Sequence, residues 1–172
     1  MRLFGRRADA GNPTEGMDLG LEAGDRVLAA CRDALTAEVL VTSTHHLSVA
    51  DPEGTVRLQR PWHLVDTGSY DSDADVLRVV WVDREPDLAL HVGGHRPFLQ
   101  TFRERVQASV VIADSLDLGS DRTVRLVIRK DLREDRLLDQ VILGKGVRLG
   151  DPGVRPRVVA ARRALREQVG LT

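Results

Sequence analysis

The spacing of apolar residues changes period along this chain, and that change limits the fold more tightly than any single motif. From Arg26 to Val92 apolar side chains recur at every second position in short runs, the period at which one face of a strand meets a core. Val27, Ala29 and Cys31 open the series, and Val39 with Val41, then Leu47 with Val49, continue it on either side of TSTHH. VRLQRPWHLV, VDTGSYDSDADVLRVVWVD and LALHVG follow, separated by turn formers such as Asp51, Pro52 and Gly54. At HRPFLQTFRERVQASVVIAD the period becomes four. Phe98, Phe102, Val106 and Val110 align on one helical stripe, and Pro97 suits the first turn. The order predicts about six or seven antiparallel strands closed by one amphipathic helix.

Beyond Asp114 the alternation resumes. RTVRLVIRK sets Val124, Leu126 and Ile128 against Arg125, Val127 and Arg129, and RLLDQVIL reads as a second strand. A final helix is expected after Asp151 and Pro152, with Pro156 delaying its regular part, Val154, Val158, Ala161, Leu165 and Val169 as its stripe, and Gly170 as its end. The fold class is α+β: a mostly antiparallel barrel or sandwich over 26–113, closed by a helix, with a two-strand-plus-helix extension over 114–172 packed on it. Residues 1–25, rich in glycine and charge and without periodicity, read as a flexible leader.

The 172 residues, 42% of them apolar, suffice for a core. Formal charge nearly cancels at −1, so no global field draws the molecule to nucleic acid or an anionic membrane. The distribution is uneven: residues 1–121 hold 12 basic and 20 acidic side chains, a difference of −8, and residues 122–172 hold 13 and 6, a difference of +7. The basic part is therefore expected to fold against the acidic part. A lone Cys31 precludes an internal disulfide, and no long apolar run offers a signal peptide or a membrane span, which predicts a cytoplasmic protein. Phe4 beside Arg2, Arg6 and Arg7 gives too little apolar area for a stable membrane anchor.

Signs of catalysis are absent from the sequence. Neighbouring His45 and His46 would point to opposite faces of a strand, and Gly93 and Gly94 separate His91 from His95, so neither pair makes a chelate; these and His63 read as structural. Asp71, Asp73 and Asp75 begin like a calcium loop, but Val76 and Val82 stand where it needs glycine and a bidentate glutamate. GKG at 144–146 lacks the length and ending of a phosphate loop and reads as a turn. Cys31 falls on the core side of its strand with no base beside it. No catalytic residue, metal site or cofactor is expected.

VLVTSTHHLSV, RPWHLV with Trp62, VLRVVWV and RERV at 103–106 together resemble the pleckstrin-homology-like barrel of uncharacterised bacterial proteins. They are also similar to an actinobacterial family of unknown function with a Pro-Trp strand motif and an Arg-Glu-Arg-Val helix. The resemblance covers roughly residues 26–113 and implies a non-catalytic module that binds an unknown protein or peptide, with homo-oligomerisation open. Headgroup recognition would need a basic first hairpin, whereas RDALTAE sets Arg32 against Asp33 and Glu38. The alternatives are nucleic-acid contact through the basic C-terminal segment and an unrecognised enzyme. Candidate interaction residues are Trp62, Arg155, Arg162, Arg163 and Arg166, Trp62 only if it lies at the surface.

Overall fold

The computed structural model describes residues 11–171. In chain order the elements are β1 (Val27–Arg32), β2 (Val39–Ser43), β3 (His46–Ala50), β4 (Val56–Pro61), a single 3-10 turn (Trp62–Leu64), β5 (Val65–Asp71), β6 (Val76–Trp81), β7 (Leu88–Leu90), α1 (Arg96–Ser109), β8 (Val110–Asp117), β9 (Thr123–Asp131), β10 (Arg136–Leu143) and α2 (Val154–Gln168). The strands form three antiparallel sheets, β1 to β4, β5 to β7 and β8 to β10, each a meander in which sequence neighbours pair. No closed barrel forms among them.

The first two sheets and α1 enclose the main core, in which Leu40, Leu47, Trp62, Val79, Phe98 and Phe102 are buried. Val27 is 38% exposed and so departs from the alternation that Ala29 and Cys31 keep. A bulge between Val27 and Ala29 shifts the register there and turns Val27 out. Burial pushes the Cys31 thiol up to about 12, helped by the charges of Asp33 and Asp75, so it is an inert core group.

Residues 11–25 contain no helix or strand, but the part of the expected leader that the structure describes is packed. Leu19 is buried with Val39, Val41 and Ala50, and Met17 and Leu21 pack beside it. This strap covers the second face of β2 and β3, which explains why β2 is buried at every position. Gln59 donates to the Leu19 carbonyl at 3.0 Å. At the end of the strap, buried Asp25 accepts from Ser43 Oγ (2.9 Å) and the His45 amide (2.9 Å), and lies 2.8 Å from His46 Nδ1. The membrane contact considered for Arg2, Phe4, Arg6 and Arg7 lies outside the described residues, among which no helix is long and apolar enough to cross a membrane.

The end of α1 falls short of the expected stripe. The expected helical stripe ran through Val110, yet α1 stops at Ser109, the Val110 amide donates to the Gln107 carbonyl, and Val110 is the first residue of β8. VVIAD is β-branched and alternates, which suits a strand as well as a helix end. β8, β9 and β10 form one three-stranded sheet, against which α2 packs. Val124, Leu126 and Ile128 of β9 form a second core with Val154, Val158 and Leu165 of α2. The other face of β9 is also covered: Arg129, expected outside, is 2% exposed, donates to Ser109 Oγ (3.0 Å) and to the Asp66 carbonyl (3.2 Å), and ties β9 to both α1 and β5. Burial lowers the Arg129 pKa, and the Asp66 charge opposes that effect.

Candidate peptide-binding groove

α1 owes its start to His95, whose Nδ1 accepts the Phe98 amide at 3.2 Å, and to Pro97 in its first turn. Its buried stripe presses Phe102 onto β5 at Gly68. A Cβ on Gly68 would stand 2.2 Å from Phe102 Cε1, so only glycine lets the ring lie on the strand backbone. Trp62 supports that ring edge-on, with centroids 5.8 Å apart at 78°, and its Nε1 donates to the Ser43 carbonyl at 3.0 Å.

Between α1 and β5 runs a cavity of about 440 Å³. Gly68 and Tyr70 form one wall, Leu77 the floor, and Leu99, Phe102 and Val106 the opposite wall, with Arg103 and Gln107 at the rim. β5 is an edge strand whose one strand neighbour is β6, and five of its residues, Thr67 to Asp71, are exposed. An unpaired strand edge thus borders an apolar channel. An edge of this kind can pair with the backbone of an extended chain, and the channel beside it has room for one side chain. Arg103 is exposed and has no ion-pair partner among the described residues.

The channel's far end is held by the β5–β6 turn. Asp75, at φ 51°, accepts from Tyr70 Oη (2.8 Å) and from the amides of Gly93 (2.7 Å) and Gly94 (3.0 Å). Asp71 Oδ1 accepts the Asp73 and Ala74 amides at 2.9 and 3.0 Å. These carboxylates build the turn. Among the described residues no group of three His, Cys, Asp or Glu side chains is placed to hold a metal ion.

The histidines are structural, by a route the sequence did not predict. His45 and His46 lie in the bend after β2 and at the start of β3, so both approach Asp25 instead of diverging. His63 Nδ1 is 3.8 Å from Asp131, and burial lowers its pKa while the Asp131 charge opposes. His91 Nδ1 is 3.6 Å from Asp33.

Trp62 is fully buried and is a core residue, which removes it as a contact residue. Its neighbourhood nonetheless forms the groove, through Phe102. The arginines of α2 are elsewhere. Arg162 Nε and Arg166 Nη1 meet Asp139 Oδ2 of β10 at 2.7 and 3.3 Å, and Arg163 pairs with Glu167 at 2.9 Å. Arg155 is exposed. The α2 arginines thus meet an acid of their own sheet and not the turn of Asp71, Asp73 and Asp75, whereas Arg125 and Arg129 of β9 face Asp66 and Arg133 faces Glu22, acids of the first 121 residues. Gly68 was not singled out in the sequence, although a glycine inside an alternating run signals close approach of another chain segment. Compared with protein-family models, curated proteins and solved structures, the chain matches none.

Proposed function

We propose that this protein is a non-catalytic peptide-binding module that takes an extended segment of a partner protein as an added strand on β5, with an apolar side chain in the channel beneath α1. The observation that carries this reading is the juxtaposition of an unpaired strand edge with a channel floored by Leu77 and walled by Phe102 and Val106. A four-strand sheet, a three-strand sheet and a helix in that order also agree with the pleckstrin-homology-like arrangement that the sequence resembles. Buried Cys31 and the hydrogen-bonded aspartates supply no activated nucleophile. Against nucleic-acid contact by α2 stands the engagement of Arg162 and Arg166 by Asp139, with which phosphates would have to compete.

A displayed peptide library tests the reading. Selected peptides are expected to carry one apolar anchor, to shift the amide resonances of residues 67–71, and to bind with little loss at high salt. Gln107→Trp, which fills the channel mouth from an exposed helical position, should abolish binding without lowering the melting temperature. Failure of any peptide to enrich, or a footprint away from β5 and α1, would refute it.

A further inference from the structure

The chain carries a second feature, independent of the groove, at the turn after β10. Gly144 donates to the Thr123 carbonyl at 2.9 Å, and a Cβ there would meet that oxygen at 2.5 Å, so the turn is drawn tightly against the start of β9. Val147 then donates back to Gly144 at 3.2 Å, and Gly146 takes a positive φ of 72° that favours glycine. This geometry sets Lys145 and Arg148 on the rim of one open cavity of about 410 Å³, whose remaining wall includes Arg84 from the β6–β7 connection.

These three cations are exposed, and none has an ion-pair partner among the described residues. Arg57, Arg60, Arg78, Arg125, Arg133 and Arg136, by contrast, each face a carboxylate. Of the acids beside these cations in the chain, Asp83 faces Arg60, Glu85 makes no ion pair among the described residues, and Asp151 accepts the Arg148 amide at 3.2 Å and faces the Arg122 guanidinium at 3.6 Å. Cations held on one rim without ion-pair partners repel one another, and a bound anion lowers that repulsion. Two guanidinium forks and one ammonium suit an anion with several oxygens at one centre.

We propose that Arg84, Lys145 and Arg148 around the glycine turn form a binding site for a phosphate group. The group belongs either to a small phosphorylated compound or to a lipid headgroup, and Leu149, 38% exposed beside Arg148, is the residue that a lipid surface would take up. Binding alone is assigned to this turn.

Pyrophosphate titrated at low salt, followed by amide resonances and calorimetry, is the test. The amides of residues 145–148 should shift, affinity should fall as salt rises, and Lys145→Gln or Arg148→Gln should each weaken binding about tenfold. Arg155→Gln on α2 should leave it unchanged. In parallel, phosphatidylcholine vesicles with and without phosphatidic acid separate the two sources. Co-sedimentation with the acidic vesicles that Leu149→Ser abolishes, while pyrophosphate binding persists, assigns a lipid headgroup; pyrophosphate binding without co-sedimentation assigns a small compound. Absence of pyrophosphate binding at low salt, or binding that the Lys145→Gln, Arg148→Gln double variant retains while its melting temperature is unchanged, overturns the proposal.

Discussion

Trp62 gives the sharpest test of how the main core is built, because its packing and its hydrogen bond can be removed separately. The side chain is fully buried, stacks edge-on against Phe102 and donates to the Ser43 carbonyl. An indole buries roughly 150–250 Å², which at about 25 cal/mol per Å² is worth ~4–6 kcal/mol. Measured losses for large aromatic to alanine changes in cores fall at about 3–5 kcal/mol. Trp62→Ala should therefore cost about 4–5 kcal/mol, a third or more of the whole stability of many domains. Trp62→Phe keeps much of the ring but leaves the Ser43 carbonyl one donor short, and should cost about 1–3 kcal/mol. For a chain of this length about 1 kcal/mol moves the melting temperature by roughly 2–4 °C, so the alanine variant should melt about 8–20 °C lower. Calorimetry with urea unfolding, followed through the remaining Trp81, measures both variants. If Trp62→Ala melts within about 2 °C of the parent, or if Trp62→Phe costs as much as Trp62→Ala, the account of this core is wrong.

Three other expectations follow from the same structure. Leu165→Glu would put a charge into the α2 seam, where Leu165 is 2% exposed, and should cost several kcal/mol and speed proteolysis of the C-terminal segment, whereas exposed Arg163→Glu should change stability little. Gly68→Val should displace Phe102, lowering the melting temperature and perturbing the Trp62 signal in near-ultraviolet dichroism. Stability should fall in acid in two stages. Burial holds the His63 pKa below 6.5, so the unfolded chain protonates first and stability, full above pH 6.5, declines as pH falls toward the folded value. For Asp25, burial raises the pKa but hydrogen bonds from His46, Ser43 and the His45 amide outweigh it, and for Asp131 the amides of Arg133 and Glu134 do the same; their contribution is present above pH 3.8 and lost as pH falls through their lowered values. Melts from pH 8 to pH 3 of the parent and of His63→Gln check this, the variant being expected to lose the upper stage.

Local period was enough to find most of the strands, because antiparallel strands with one solvated face print their geometry directly on the sequence. The α2 stripe is legible for the same reason, and Gly170 closes it: its amide donates to the Glu167 carbonyl and that of Leu171 to the Arg166 carbonyl. The features that escaped depend on what lies across space. The start of β8 escapes because a β-branched run following a helical stripe carries both periods at once. Burial of Arg129 escapes because nothing in RTVRLVIRK reveals that Ser109 and Asp66 receive its guanidinium. Leu19 and Asp25 were hidden in a segment of turn-forming composition whose few apolar groups dock on a face that alternation alone would leave to solvent. Trp62 stands out in the sequence, but the groove it supports becomes visible only when Gly68 and Phe102 meet.

The meander connectivity of all three sheets has a consequence for how the chain acquires its shape. Every strand pairs with a neighbour in sequence, so each sheet zips from hairpins that need only short loops to close. Pairing of that kind is fast for a β protein, and it can proceed as the polypeptide emerges, one sheet after another. What remains for the end is the joining of finished pieces: the strap onto β2 and β3, and Arg129 onto Ser109 and Asp66. The slow step of folding should therefore be the burial of one arginine between the last sheet and the rest, so that Arg129→Met would alter the rate of docking and leave hairpin formation unchanged.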